Sequence, residues 1–377
     1  MIAKYFSEVE DRREPWKVKH SLLEIIVMVI TAVAGGCDAW EVIEDFCKVK
    51  QEWLKTRLHL KLENGIPSHD TMQRVFGMIK PKEFEASFCA WMGAVAEKTD
   101  GEIISIDGKT LRGSKDGEKK PLHMVSAWAN ANQLVLGQIA TDEKSNEITA
   151  VPALLDLLDI EGCTITADAM SCQKEITAKI TQAKANYVLG LKENQPSLYS
   201  DVKEFWADVR KHPKQYADIQ TTQTSDKGHG RIEKRKYYLS TEIQWLEQRG
   251  KWCNLNGIGM VESIVTHTDS GQVTEDRRFF ITSLTDVISF SKAVRAHWGI
   301  ENSLHWCLDV VFDEDHIRMR KDNSAENMAV VRHIVLNVLK NYPTSKKMSL
   351  SRKRQKCEYD HDFLADVLSF AANNFHA

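Results

Sequence analysis

Between Glu102 and Lys192 the hydrophobic pattern repeatedly switches between strand-length and helix-length runs, and this switching constrains the fold more than any other feature of the chain. EIISID is a short β-rich run, and LHMVSAWAN and QLVLGQIAT follow it as two strands of a hairpin around the turn-like Asn130-Ala131-Asn132. A helix at about 147–159, a strand CTITAD, a helix CQKEITAKITQAKA and a strand YVLGLK complete the series. The order β-β-β-α-β-α-β predicts an α/β fold with a mixed sheet flanked by helices.

Up to about Glu97 the pattern is helical throughout. HSLLEIIVMVITAVAGG ends in paired glycines suited to a helix C-terminus, and EVIEDFCKVKQEWLKTRL repeats apolar residues at three-to-four spacing. Ser68, after Pro67, is a plausible N-cap for a short helix, either a packing helix or the second helix of a helix-turn-helix. After Asn194 the chain turns more polar as far as about Arg277, with strand-like pieces RKYYLS and GIGMVESIVTHT, which reads as a β-rich insertion. RRFFITSL restores an apolar strand. The stretch from Ile288 to Asp309 reads as helical with a break at Gly299, and SAENMAVVRHIVLNVLKNY as a further helix.

The longest apolar stretch, Leu22 to Ala34, contains Glu24 and falls short of the about 20 residues that a membrane span needs. The first residues do not read as a secretory signal, so a cytoplasmic protein is expected. Eight cysteines, without a C-x-x-C pair, point to reduced and mostly buried thiols rather than a disulfide framework or a zinc site. A net charge of −3 argues against a uniformly basic nucleic-acid binder. Two basic clusters nevertheless stand out, KGHGRIEKRK at 227–236 and KKMSLSRKRQK at 346–356; taken alone, such runs read as solvated faces.

Asp107 closes EIISID and Asp168 closes CTITAD. Carboxylates at strand ends either form turns or present oxygen ligands to a hard cation over the sheet edge. A third acid from a following helix would complete an oxygen cage of the kind Mg²⁺ favours. Paired ions about 3.5–4 Å apart can serve an in-line phosphoryl displacement. Glu301, Asp309, Asp313, Glu314, Asp315 and Glu326 all follow the insertion and are open as the third acid. Helix periodicity singles out Glu301, which shares a face with His297, Trp298 and His305.

The segments SIDGKTLRGS, TDEKSNEITAVPALLDLLDIEGCTITADAMSCQKEI, VLGLKENQ, HGRIEKR and RAHWGIENSLHWCLDVVFDEDHIRMR closely resemble the H-repeat-associated transposases, a branch of the insertion-sequence DDE transposases. EVEDRREPWKVKHSLLEIIVMVITAVAGG and GIPSHDTMQRVF resemble the helical domain associated with that branch. The likeness implies a helical domain over 1–97 and an RNase H-like catalytic domain over 98–377, with a β-rich insertion at about 195–278. It also implies Asp107, Asp168 and Glu301 as catalytic and metal-binding acids, with two Mg²⁺ ions, or Mn²⁺, as cofactor. The implied activity is metal-dependent DNA strand cleavage and strand transfer at insertion-element ends, and an inactive DNA-binding remnant is the alternative. Because two element ends must be brought together, a homodimer on double-stranded DNA is expected.

Related transposases carry a Y-x-x-R-x-x-x-E-x-x-x-x-x-x-K pattern around the third acid. Here Val294, His297 and Leu308 occupy its other positions, leaving Arg295, His297 and His305 as substitutes for gripping phosphate. Lys109, Arg112, Lys192 and Asn194 follow strand ends and are candidate DNA contacts, with loop solvation as the alternative. His229 and Arg231 in the insertion belong to the same set, since an arginine can fork onto phosphate or stack on a base. Trp298 offers a face for an unpaired base, although a core tryptophan would read the same way.

Overall fold

The computed structural model describes residues 2–96, 101–118, 120–141, 147–228 and 230–373; His229, a candidate DNA contact, lies outside them. Helices α1 (Ile2–Phe6), α2 (Leu22–Ala34), α3 (Trp40–Val49), α4 (Gln51–Arg57), α5 (His69–Met78) and α6 (Pro81–Val95) come first. Then follow β1 (Ile103–Thr110), β2 (His123–Ala129), β3 (Leu134–Thr141), α7 (Glu147–Leu155), β4 (Thr164–Ala167), α8 (Lys174–Gln182) and β5 (Asn186–Leu191). After α9 (Pro196–Lys211) come β6 (Gln220–Gly228), β7 (Arg231–Ser240), β8 (Gly257–His267) and β9 (Val273–Thr282). The chain continues through α10 (Val287–Ile300), a π-helical turn Glu301–His305, α11 (Trp306–Val310), α12 (Ser324–Asn341), α13 (Leu350–Tyr359) and α14 (His361–Asn373).

The strands form a nine-stranded mixed sheet in the order β3-β2-β1-β4-β5-β9-β8-β7-β6. β1, β4 and β5 run parallel, whereas the β2–β3 hairpin and the chain of pairs from β5 through β9, β8 and β7 to β6 are antiparallel. The α/β class is the one expected, a mixed sheet flanked by helices. Internal packing divides the chain into two units. The first comprises Met1–Glu97, Gly108–Asn146 and Glu301–Ala377; the second comprises Lys98–Asp107 and Glu147–Ile300.

In the first unit α12 is the central helix, and α2, α5, α6 and β3 pack around it. It is buried on nearly every side, which a helix tolerates only when its polar side chains find partners inside. Asn337 meets that condition by giving and taking hydrogen bonds with the main chain of Val135 on edge strand β3, each at 2.8 Å. Asn327 does the same for the end of α5, donating to the Phe76 carbonyl at 2.7 Å and the Ile79 carbonyl at 3.1 Å. At its start α5 is capped by Ser68, whose hydroxyl accepts from the Thr71 amide at 3.4 Å, as the sequence suggested.

In the second unit α10 lies on β4, β5, β6 and β7, placing Phe290, Ala293 and Val294 against Tyr237, Leu239 and Val261. α9 contacts β9. The insertion differs from its reading as strands alone. It opens with α9, a 16-residue helix with Pro196 in its first turn and an apolar face of Leu198, Val202, Trp206 and Val209. Its strands also join the main sheet through the β5–β9 pairing.

The basic run at 346–356 is not a solvated face throughout. Lys353 turns inward and donates to the carbonyls of Leu339, Lys340 and Tyr342 at the end of α12. Arg354 binds the carbonyls of Val33 and Val311 and the carboxylate of Asp38. Both fill the need of helix ends for donors to their last carbonyls. Among the described residues the cysteines are all free thiols, buried apart from Cys253, and no helix is long and apolar enough to cross a membrane.

Candidate active site

In the second unit the first two acids arrive by strand pairing. Ile106 of β1 is directly opposite Ala167 of β4 in a parallel register; Asp168 is the first residue after β4, whereas Asp107 does not close its strand as expected, since β1 runs on to Thr110. Neighbouring strands run about 4.8 Å apart, so two acids at the same level of adjacent strands bring their carboxylates into one neighbourhood. Both side chains are half-buried. Asp168 also caps the short turn that follows β4, one carboxylate oxygen accepting from the Met170 amide at 2.9 Å. The turn-forming and ligand readings of a strand-end acid are therefore compatible here.

The Asp168 turn is held from the neighbouring strand. A side chain at Gly190 of β5 would place its Cβ 3.2 Å from the Ala169 amide nitrogen, so this backbone approach favours glycine. Beyond β5, Asn194 donates to the Ala169 carbonyl at 2.6 Å and Gln195 to the Cys172 carbonyl at 3.0 Å. Asn194, a candidate DNA contact, thus also braces the loop bearing the second acid. Lys192 is exposed. Burial, and then the Asp168 charge, push the Cys172 thiol up to about 12, so it offers no thiolate to a cation at neutral pH.

His297 reaches the same strands from α10. Its Nδ1 is 3.1 Å from Thr166 Oγ1, Thr166 donates to Ser105 Oγ at 3.1 Å, and Ser105 donates to the Ala296 carbonyl at 3.4 Å. With the two hydroxyl protons so committed, His297 must donate from Nδ1, a tautomer assigned from the network. This polar bridge ties α10 to β4 and β1 beside the two acids. The sequence reading missed Ser105 and Thr166; hydroxyls within otherwise apolar strands were the available signal.

Other candidates also belong to the second unit. Arg295 is 3.5 Å from Asp226, which also binds Arg235 at 2.6 Å. Trp298 is 40% exposed, with the Arg278 guanidinium 5.0 Å from its ring centroid. Arg231 is exposed at the start of β7.

In the first unit Glu301 begins the π-helical turn directly after α10, and that turn ends at His305. The Glu301 carboxylate is 3.8 Å from Nδ1 of the buried His305. π-helical turns recur at functional sites because the extra residue re-aims the side chains around it. The helix continues through Gly299, so the irregularity expected there falls two residues later.

Three of the other third-acid candidates share one lysine inside this unit. Lys109 Nζ is 2.8 Å from Asp309, 3.0 Å from Glu314 and 3.4 Å from Asp315. Glu314 also meets Arg332 at 3.3 Å. Burial raises the Glu314 carboxyl, but the charges of Lys109 and Arg332 outweigh it and hold the group below the usual range. Asp313 pairs with His316 at 2.6 Å. Arg112 is 81% exposed, with Nε 3.5 Å from Asp315.

The chain is similar to known proteins over nearly its whole length. Residues 3–92 match the family described as DDE_Tnp_1-associated, and residues 98–338 match the Transposase DDE domain. The chain is 41% identical over 371 residues to "Putative transposase YncI" of Escherichia coli O157:H7, covering 97% of this chain and 93% of that protein. It is 37% identical over 375 residues to "H repeat-associated putative transposase YhhI" of Escherichia coli K12, covering 98% and 97%. A shorter K12 protein, "Inactive transposase YbfQ", is 42% identical over 74 residues, covering 20% of this chain and 86% of its own.

Proposed function

Because the chain belongs to the DDE transposase domain family, with H-repeat-associated relatives, we propose that Asp107, Asp168 and Glu301 form one divalent-cation site at which the protein cuts and joins DNA. The carrying observation is the parallel pairing of Ile106 with Ala167, the residues immediately before Asp107 and Asp168. Glu301 follows Ile300 directly, and α10, which Ile300 ends, is packed on β4, the strand that leads to Asp168. An all-carboxylate donor set suits Mg²⁺ or Mn²⁺, and the Cys172 thiol beyond Asp168 is held protonated. Divalent ions held by these acids would supply activation of the attacking oxygen and stabilisation of the leaving oxygen in an in-line displacement at phosphorus.

The protein's own groups position the acids. Asn194 and the close approach at Gly190 brace the Asp168 loop, and the Ser105–Thr166–His297 chain fixes α10 against β1 and β4. Arg112, Lys192, Arg231, Arg295, His297, Trp298 and His305, with His229, are the groups through which DNA would be held on this reading. Lys and Arg contacts set the register of a duplex without reading its sequence. Two element ends held at once call for a homodimer on DNA.

Cleavage and strand transfer on a labelled element-end duplex with Mg²⁺ or Mn²⁺ test the proposal. Asp107→Asn, Asp168→Asn and Glu301→Gln should each bind DNA yet lower both reactions by about a thousandfold or more, equivalent to about 4 kcal/mol of barrier. Native protein that binds the ends and never cuts would transfer the reading to a DNA-binding remnant. Cutting without joined products would make it a nuclease.

A further inference from the structure

Lys109 stands two residues beyond Asp107, where a DNA contact is an obvious expectation. Its surroundings do not suit one. The side chain is only 11% exposed, and its ammonium is already held by the carboxylates of Asp309, Glu314 and Asp315. A phosphate approaching that ammonium would also approach three negative charges. Glu314, whose side chain is 2% exposed, is shared with Arg332, whose side chain is 5% exposed. A buried ion cluster of this kind is a weak source of stability, because desolvation offsets most of its attraction; what it supplies is a fixed arrangement.

That arrangement links particular elements. Lys109 lies on β1, Asp309 on α11, Glu314 and Asp315 on the loop after α11, and Arg332 on α12. α11 continues without a break from the π-helical turn that begins at Glu301. A second observation places the same segments together. A Cβ at Gly113 would fall 2.2 Å from the Ile317 carbonyl oxygen and 3.1 Å from that of Glu314, so the chain after β1 lies flat against the 314–317 backbone. Arg320 Nε closes this contact by donating to the Gly113 carbonyl at 2.9 Å.

We propose that Lys109 is a positioning residue, which anchors α11 and the Glu301 turn to the end of β1 through its three carboxylate partners, and that it does not contact DNA. The inference rests on the proposed role of Glu301 in binding a cation. Lys109→Met should leave DNA affinity and its salt dependence unchanged, because no phosphate contact is lost. Hydrogen exchange of the amides at 301–310 should speed up while that of α2 stays as in the native protein. Binding of Mn²⁺ alone, followed by electron paramagnetic resonance, should weaken by about 10- to 100-fold, the usual loss when a residue orienting a ligand is removed. Lys109→Arg should recover part of both effects.

Should Lys109→Met fail to fold, Asp309→Asn removes only the link to α11 and should give the same changes at smaller size. Native exchange at 301–310 in whichever variant folds overturns the proposal. So does a fall in DNA affinity in which the slope of log affinity against log salt drops by about one, the mark of one lost phosphate contact. Asp107→Asn is the control: if it binds Mn²⁺ as tightly as the native chain, the cation-site reading has failed, and the exchange measurement still decides the role of Lys109.

Discussion

Glu85 and Glu314 are both buried in the first unit, and they settle into opposite charge states. Glu314 has Lys109 at 3.0 Å and Arg332 at 3.3 Å, whose charges outweigh the cost of burial and keep it ionised. Glu85 is held instead by uncharged groups. It accepts from the Gln138 amide at 2.7 Å and from the Cys89 thiol at 3.3 Å, and burial pushes its carboxyl up to about 8. Burial alone therefore does not set ionisation; the charge of the partner does. One acid organises basic residues around the Glu301 turn, whereas the other behaves at neutral pH as a protonated group joining α6 to β3.

The largest effect that would break this comparison is expected from Glu314→Gln. An amide in that place leaves Lys109 and Arg332 buried without their shared anion, and such a loss typically costs about 3–5 kcal/mol. Urea unfolding at pH 7 should show a destabilisation of that order. Glu85→Gln, which replaces an already protonated carboxyl by a group of nearly equal shape, should not destabilise at the same pH but gain stability, because the unfolded glutamate releases a proton that glutamine does not carry. Equal losses in the two variants would mean that Glu85 is charged after all.

Much of the framework was legible in the residues. The alternation between 102 and 192 led to the correct order of elements and to Asp168 at the end of its strand, whereas β1 runs past Asp107 to Thr110 because Gly108-Lys109-Thr110 stays extended despite its polar composition. α9 was readable too, from Pro196 and the spacing of Leu198, Val202, Trp206 and Val209, but the polar residues between them masked the period. Other features depend on long-range pairing, to which periodicity is blind. Nothing local distinguishes Lys353 and Arg354, which cap carbonyls of α12 and α2, from the exposed lysines beside them. Likewise, Asp309, Glu314 and Asp315 could not be set aside as third-acid candidates until Lys109 was seen among them.

A pH series sharpens the contrast at intermediate size. Between the ordinary glutamate value of about 4.5 and about 8, folded protein keeps the Glu85 proton that unfolded protein releases. The folded state then binds more protons, so this group's contribution to stability falls as pH rises through that window, by up to about 1.4 kcal/mol per pH unit. Native protein should lose stability relative to Glu85→Gln between pH 5 and 8, measured as the difference between their urea unfolding free energies. A constant difference would show that Glu85 titrates normally.

The smallest effect concerns the partner of Glu85. Cys89 donates a weak S–H bond to its carboxylate, whereas a hydroxyl in the same place is a stronger donor and should favour the charged form. Cys89→Ser should therefore lower the Glu85 value from about 8 and move the upper end of the window to lower pH, with a stability change of about 1 kcal/mol or less at pH 7. The difference curve against a Cys89→Ser, Glu85→Gln double variant reads this directly. An unmoved window would show that the thiol lies near the carboxyl without acting on it, leaving the Gln138 amide as the hydrogen bond that tempers the effect of burial.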